Sequence, residues 1–320
     1  GDRVAMSPFT FTASAEVCRY VGAEPLFVDI EEDGFLLDPE ALDSALGEPV
    51  TAGDNGVRAV MPVHIAGSPC SMERIKDLAE SHRLAVVEDA AHAFPLRTTG
   101  GTIGTLGDVG VYSFYATKTI TTGEGGMAVT DNEELAARMR LMRLHGIDRE
   151  VWDRYRRPGR QWYYEVVEAG FKYNMPDILA AIGRVQLRRA EALKEERTAI
   201  AERYLAGLGD REYLILPERR GDHAWHLFIL RLRLERLSID RDEFVNRLAE
   251  QGIGTSVHYV PLHLMPDWRE RLSLSPEQFP RSSRRFKEVI SLPIWPGLRE
   301  DQVERTIETV KRIGDSAYKG

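Results

Sequence analysis

Leu84-Ala85-Val86-Val87-Glu88-Asp89 is a short apolar run that closes on two acids. Such a run suits a strand buried on both faces of a parallel sheet. Upstream of it, Val4-Ala5-Met6, Pro25-Leu26-Phe27-Val28-Asp29-Ile30 and Val57-Arg58-Ala59-Val60-Met61-Pro62-Val63 read as further strands. Helical signals fall between them. Asp38-Pro39-Glu40-Ala41-Leu42 places an N-cap Asp before Pro at the first helical position, and Met72 to His82 is apolar at helical spacing. Downstream, Gly110-Val111-Tyr112-Ser113-Phe114 and Gly126-Met127-Ala128-Val129-Thr130 are strands spaced to pair across a loop. The alternation predicts an α/β sheet covered by helices.

The second half differs. A helix is predicted from Asn132 toward Leu144, ending near Gly146, and then a polar, aromatic and Arg-rich stretch runs irregularly to about Tyr173. Met175 to about Leu208 favours helix almost throughout, and a helix or helix pair of that length suits a connector between two domains. The rest reads as a small α+β domain, with strands at His226 to Leu234 and Thr255 to Val260 and helices at Arg241 to Gln251 and Glu300 to Ile313. The predicted division is a large domain over 1–205 and a small C-terminal domain over 206–320. There is no internal repeat and no low-complexity segment.

Composition narrows the function. The 320 residues, 43% of them hydrophobic, suffice for a sizeable core. A net charge of −8 gives no basic surface for nucleic acid. Cys18 and Cys70 lack CxxC spacing and fit a reducing cytosol. No apolar run approaches the roughly 20 residues of a membrane span, and no export signal opens the chain, so a soluble cytoplasmic protein is expected. No His or Cys spacing suggests a metal site, and HExxH is absent.

Two polar constellations stand at predicted strand ends, where open α/β sheets place their ligands. One is Val86-Val87-Glu88-Asp89-Ala90-Ala91-His92; the other runs from Ser113 through Lys118 to Gly126. Read alone, Asp89 caps a turn as readily as it serves a site, Lys118 is an ordinary loop lysine, and Gly123-Glu124-Gly125-Gly126 is a plain hairpin turn. Together they supply what pyridoxal 5'-phosphate (PLP) chemistry requires. That chemistry needs an amine able to form an imine, and an acid that keeps the pyridine nitrogen protonated. Ser113, five residues before the lysine, offers a neutral donor for a phosphate.

Several segments, in order, resemble the DegT/DnrJ/StrS family of sugar aminotransferases. They are Gly1-Asp2-Arg3-Val4 with Ser7-Pro8-Phe9-Thr10-Phe11, Val63-His64-Ile65-Ala66-Gly67, Glu88-Asp89-Ala90-Ala91-His92-Ala93, Ser113 to Gly126, Gly170-Phe171-Lys172-Tyr173-Asn174-Met175 running into Ala180 to Leu187, and Ser291-Leu292-Pro293-Ile294-Trp295-Pro296-Gly297-Leu298. The resemblance spans essentially the whole chain. It implies the aspartate-aminotransferase fold (PLP-dependent transferase fold type I), with Lys118 as the Schiff-base lysine and Asp89 as the pyridinium partner. By the same resemblance His92 bonds the ring hydroxyl, Phe11 stacks on the cofactor and Ser113 holds its phosphate. Without it, His92 reads as a satisfied, partly buried histidine and Phe11 as a core residue. A second phosphate ligand arrives from the neighbouring subunit of a homodimer with shared active sites, and Lys172 and Asn174 compete for that role. Relatives also carry an upstream helix with a Ser-Gly-Thr-type phosphate turn. A chain opening at Gly1 is expected to lack that segment and to hold PLP weakly.

The expected reaction is a ping-pong transamination from an amino acid, glutamate, to a nucleotide-linked keto-sugar, in cell-envelope polysaccharide or antibiotic sugar biosynthesis. Lys118, rather than a His at its position, argues against the sugar-dehydrating branch. Arg154-Tyr155-Arg156-Arg157-Pro158-Gly159-Arg160-Gln161-Trp162-Tyr163-Tyr164 carries guanidinium groups for a diphosphate and rings for a base, or is a solvated loop. His258-Tyr259 resembles a small-domain segment beside the family's active site, or is structural strand. The rival readings are amination of a cyclitol or related ring, and a non-catalytic regulatory relative.

Overall fold

The computed structural model describes residues 1–47, 56–148, 162–218 and 221–320. Its larger sheet takes strands in the order β2-β1-β3-β4-β7-β8. These are β1 (Arg3–Met6), β2 (Glu24–Phe27), β3 (Val57–Val60), β4 (Ala85–Asp89), β7 (Val109–Ser113) and β8 (Gly126–Val129). All neighbours are parallel except β7 and β8, which pair antiparallel as their spacing predicts. A two-stranded ribbon, β5 (Arg97–Thr98) with β6 (Gly101–Thr102), sits outside this sheet.

Helices carry the crossovers. The first, α1 (Ala13–Tyr20), joins β1 to β2; α2 (Pro39–Leu46) joins β2 to the β3 side; α3 (Met72–His82) joins β3 to β4. The Asp38 side chain caps α2 by accepting from the Glu40 amide, with Pro39 at the first position. One expectation is corrected at β4. Burial alternates along it, with Ala85 exposed and Val86 and Glu88 buried, so it is not sealed on both faces. The face that carries Asp89 stays partly open, and a sheet that hosts a ligand needs such an opening.

Beyond α4 (Glu133–Met142), the helix-favouring stretch from Met175 to Leu208 forms a helix pair, one of the two forms expected. They are α5 (Asp177–Arg188) and α6 (Ala190–Leu208), and the break falls at Arg189. Ala190 and Leu193 join the core under the large sheet, whereas Ile200, Ala201, Tyr204 and Leu208 join a second core. That second core lies under an antiparallel sheet, order β11-β10-β9: β9 (Leu214–Ile215), β10 (Phe228–Leu232) and β11 (Val289–Leu292). Its covering helices are α7 (Arg241–Glu250) and α10 (Glu300–Ala317), with α8 (Pro266–Arg271) and α9 (Pro280–Glu288) between them in sequence. The predicted strand at Thr255–Val260 is absent. Only the Ser256–Ser291 bridge forms there, because the segment turns into a cleft instead of continuing along β11. No described helix is long and apolar enough to cross a membrane.

Candidate active site

The strand order changes direction between β1, which feeds outward to β2, and β3, which feeds toward β4 and β7. Ligands of open α/β sheets bind at the carboxyl ends around such a switch. Asp89 is the last residue of β4. Its Oδ1 accepts from the Ala91 amide at 3.1 Å and its Oδ2 from Ser14 Oγ at 2.7 Å. The carboxylate therefore caps the turn after β4 and also faces α1. Its neighbour Glu88 points the other way and is fully buried. Glu88 accepts from the amides of Gly104, Leu106 and Gly107 and pairs with His64 Nε2 at 3.1 Å. Burial works to raise its pKa, but His64 and the Gly104 and Gly107 amides outweigh burial and hold it below the ordinary carboxylate value.

The strand β7 delivers Ser113 and then a turn in which the Lys118 amide donates to the Tyr115 carbonyl at 3.0 Å. Thr121 Oγ1 and the Thr122 amide both donate to the Phe114 carbonyl and close the loop. Gly125 returns it to β8 at φ +152°, where a Cβ would lie 2.5 Å from Thr122 Oγ1, so glycine is required. Lys118 lines a cleft of about 790 Å³ with Phe11, His226, His258 and Tyr259. Burial lowers its amine from 10.5 to about 8, against the opposing pull of Asp89. A substantial neutral fraction is thus present near pH 8, as an imine-forming lysine needs.

Three imidazoles surround this amine. His92 is buried; its Nδ1 accepts from the Ala66 amide at 3.2 Å and its Nε2 lies 3.3 Å from Tyr259 Oη. His226 packs on it, ring centroids 4.1 Å apart, with its buried Nδ1 lacking a hydrogen-bond partner among the described residues. His258 Nδ1 meets Ser291 Oγ at 2.8 Å. Burial and the nearby Lys118 charge depress all three, His92 and His226 far below the usual histidine range. At neutral pH His92 and His226 are uncharged. Behind the wall lies Arg197 of α6, 3% exposed. It donates to the carbonyls of Trp225 (3.2 Å), His226 (3.2 Å), Ile294 (3.0 Å) and Thr117 (3.4 Å). Thr117, His226 and Ile294 all line the cleft.

The fold thus brings Lys118 and Phe11 to one opening, with the Asp89 charge acting on the amine and His92 behind the cleft residue Tyr259. Phe11 is not a core residue: it is 58% exposed at the cleft, its ring 6.0 Å from Tyr259. Ser113 Oγ, at the end of β7, accepts from the Tyr115 amide at 3.3 Å. Lys172 and Asn174 stand apart from the cleft lining and hydrogen-bond each other. Arg154 through Gln161 lie outside the described residues; Trp162 and Tyr164 are exposed. His258 and Tyr259 are cleft residues, not strand. Sequence reasoning missed Ser14, His226 and Arg197, whose local sequences are an ordinary helix, an apolar strand and a charged helix. A second cavity, about 480 Å³, lies between residues 31–36 and 229–233 and is lined by no lysine.

An amine poised near neutrality, a carboxylate whose charge acts on it, an exposed ring at the cleft's mouth and a buried imidazole nitrogen without a partner among the described residues fit PLP. The family model of the DegT/DnrJ/EryC1/StrS aminotransferase family matches residues 1–311. Spore coat polysaccharide biosynthesis protein SpsC of Bacillus subtilis is 40% identical over 316 residues, 98% of this chain and 79% of SpsC. The PMP form of Spr1654 from Streptococcus pneumoniae superposes with a TM-score of 0.89 at 29% identity, covering 99% of this chain and 82% of that one. PseC of Helicobacter pylori, an aminotransferase involved in the biosynthesis of pseudoaminic acid, gives 0.87 at 26% identity over 98% and 80%.

Proposed function

This chain belongs to the DegT/DnrJ/EryC1/StrS aminotransferase family, and we propose that it transfers an amino group from glutamate to a nucleotide-linked keto-sugar, with Lys118 as its catalytic base. It is a PLP-dependent sugar aminotransferase of the α/β fold shared by those relatives. The observation that carries the assignment of Lys118 is its amine, lowered to about 8 by burial in a cleft that also feels Asp89.

PLP supplies a carbonyl to capture amines and a ring that accepts electrons from the carbon losing its proton. The chain's residues do the rest. Lys118 Nζ anchors the cofactor, then removes the α-proton of the amino-acid donor and, in the opposite half-reaction, delivers a proton to the sugar carbon that gains nitrogen. Asp89 keeps a proton on the pyridine nitrogen, with Ser14 and the Ala91 amide fixing its orientation. His92 serves the ring hydroxyl, Phe11 stacks on the ring, and Ser113 contacts the phosphate.

The enzyme works as a cytoplasmic homodimer, in which Lys172 or Asn174 completes the partner's phosphate site. In support, α5 buries no residue within the chain and exposes Ile178, Ile182, Val185 and Leu187, close in sequence to the exposed Phe171 and Tyr173. Within each subunit 1–205 form the large domain and 206–320 the small one. The role of SpsC in polysaccharide biosynthesis and that of PseC in a sugar-acid pathway support an envelope-sugar substrate.

Borohydride reduction of the PLP-loaded protein followed by peptide mapping tests the assignment. A pyridoxyl group on Lys118 is expected; labelling of any other lysine, or of none, would refute it. A panel of nucleotide-linked and free keto-sugars, each with glutamate and other amino acids, then tests the substrates.

A further inference from the structure

Hydrogen-bond direction around His92 is fixed by a group that has no choice. A backbone amide only donates, so the Ala66 N–H at 3.2 Å makes His92 Nδ1 an acceptor and leaves the single ring proton of the neutral imidazole on Nε2. Burial and the Lys118 charge keep the ring neutral. The contact with Tyr259 at 3.3 Å therefore runs from His92 Nε2–H to Tyr259 Oη. The tyrosine's own O–H must point elsewhere, and among the described residues no acceptor of the chain receives it. Tyr259 lines the Lys118 cleft, whereas His92 does not. The direction is also anchored from behind. Ala66 sits in the turn Ile65–Gly67 that follows His64, at φ +58°, and His64 is tied to the buried Glu88.

We propose that the Tyr259 hydroxyl, oriented by His92, is the hydrogen-bond donor to the ring hydroxyl oxygen of PLP in this cleft. The inference rests on the reading that PLP is held by Lys118. That oxygen sits on the ring carbon next to the one bearing the carbonyl that Lys118 captures, on the path round the ring toward the nitrogen assigned to Asp89. A donor for it has to lie near both residues. The charge of Asp89 acts on Tyr259 as it does on Lys118. His92 is then a positioning residue acting through Tyr259.

The test uses holoprotein variants Tyr259→Phe, His92→Phe, His92→Gln and the double variant Tyr259→Phe/His92→Phe. Two quantities are read: the PLP dissociation constant by equilibrium dialysis, and the pH midpoint of the visible absorbance change. Asp89, Lys118, His226, His258 and Arg197, the titratable and charged groups around the site, stay as they are. Tyr259→Phe is expected to weaken PLP about tenfold. It should also raise the midpoint by about one pH unit, because a donor stabilises the deprotonated oxygen. His92→Phe should match it, the double variant should be no worse than either single one, and His92→Gln, which keeps an N–H donor, should stay within about threefold of wild type. Phe preserves the ring beside Phe11, and thermal unfolding of the apo variants checks the fold. An unchanged affinity and midpoint in Tyr259→Phe, or single effects that multiply in the double variant, would overturn the proposal. Borohydride trapping of the wild type separates the two readings. Without a Lys118 adduct the cofactor assignment itself fails; with one and an inert Tyr259→Phe, only the present inference fails.

Discussion

Replacing Arg197 by Met tests whether a buried cation with no acidic partner among the described residues holds the cleft together. Its guanidinium donates to four carbonyls, but three of those contacts come from Nη1, which has two hydrogens, so about three effective bonds are lost. Hydrogen bonds from a charged group contribute about 1.5–3 kcal/mol each. Against this stands burial, which lowers the Arg197 pKa from 12.5 to about 10, a cost of roughly 3 kcal/mol that Met escapes. The net expected loss is roughly 1.5–6 kcal/mol. Urea unfolding of the apoprotein measures it as a lower midpoint at unchanged slope. Three of the freed carbonyls belong to cleft residues Thr117, His226 and Ile294, so the walls around Lys118 should loosen too. A misplacement of about 1 Å costs up to about 10²-fold in rate, and kcat should fall by about 10–100-fold with KM changed far less. Arg197→Lys, which keeps the charge and loses the planar fork, should fall between. A variant within about 0.5 kcal/mol and twofold in kcat of wild type would show that the four contacts neither stabilise the fold nor position the site.

Lys118→Met should abolish activity yet stabilise the apoprotein at pH 7, because the folded amine has a lowered pKa and the unfolded chain binds the extra proton. That advantage should shrink as pH rises from about 8 toward 10.5, and chemical unfolding across this range checks the sign. Asp89→Asn should bind PLP but lose about 10²–10⁴-fold in kcat, measured in single half-reactions with the amino-acid donor. Glu88→Ala strands three amides and His64, and should cost at least about 4 kcal/mol by urea unfolding. In the wild type the Glu88 contribution, from a pKa held below 4.5, should persist until pH falls beneath the ordinary carboxylate range. Ile182→Glu, on the exposed face of α5, should convert a dimer into monomers by light scattering while leaving the monomer's far-UV spectrum intact.

Local chemistry made much of this protein legible in one dimension. Asp38 before Pro39 sets the start of α2, the apolar spacing from Met72 to His82 matches α3, and the β7 and β8 runs pair as their separation requires. The ordered segments around Asp89, Lys118 and the Ser291 region carried the family, its fold and its cofactor, because the bond-making groups sit inside contiguous motifs. What the chain could not announce depends on residues far apart in sequence. Ser14 reaches Asp89 across 75 positions and Arg197 reaches Ile294 across 97, and neither has a local pattern that separates it from an ordinary helix residue. The apolar run of β4 reads as buried on both sides, yet only packing decides which face stays open. Phe11 and Thr255 to Val260 were misleading for the same reason: an aromatic or β-branched residue is equally at home in a core and at the mouth of a cleft. Side-chain type fixes which bonds a residue is able to make, and the three-dimensional neighbourhood fixes its burial, its hydrogen-bond direction and its pKa. The choice of Lys118 and Asp89 as the proposed lysine and acid therefore came from the sequence. The lowered pKa of Lys118, the neutrality of His92 and the free proton of Tyr259 came only with the fold.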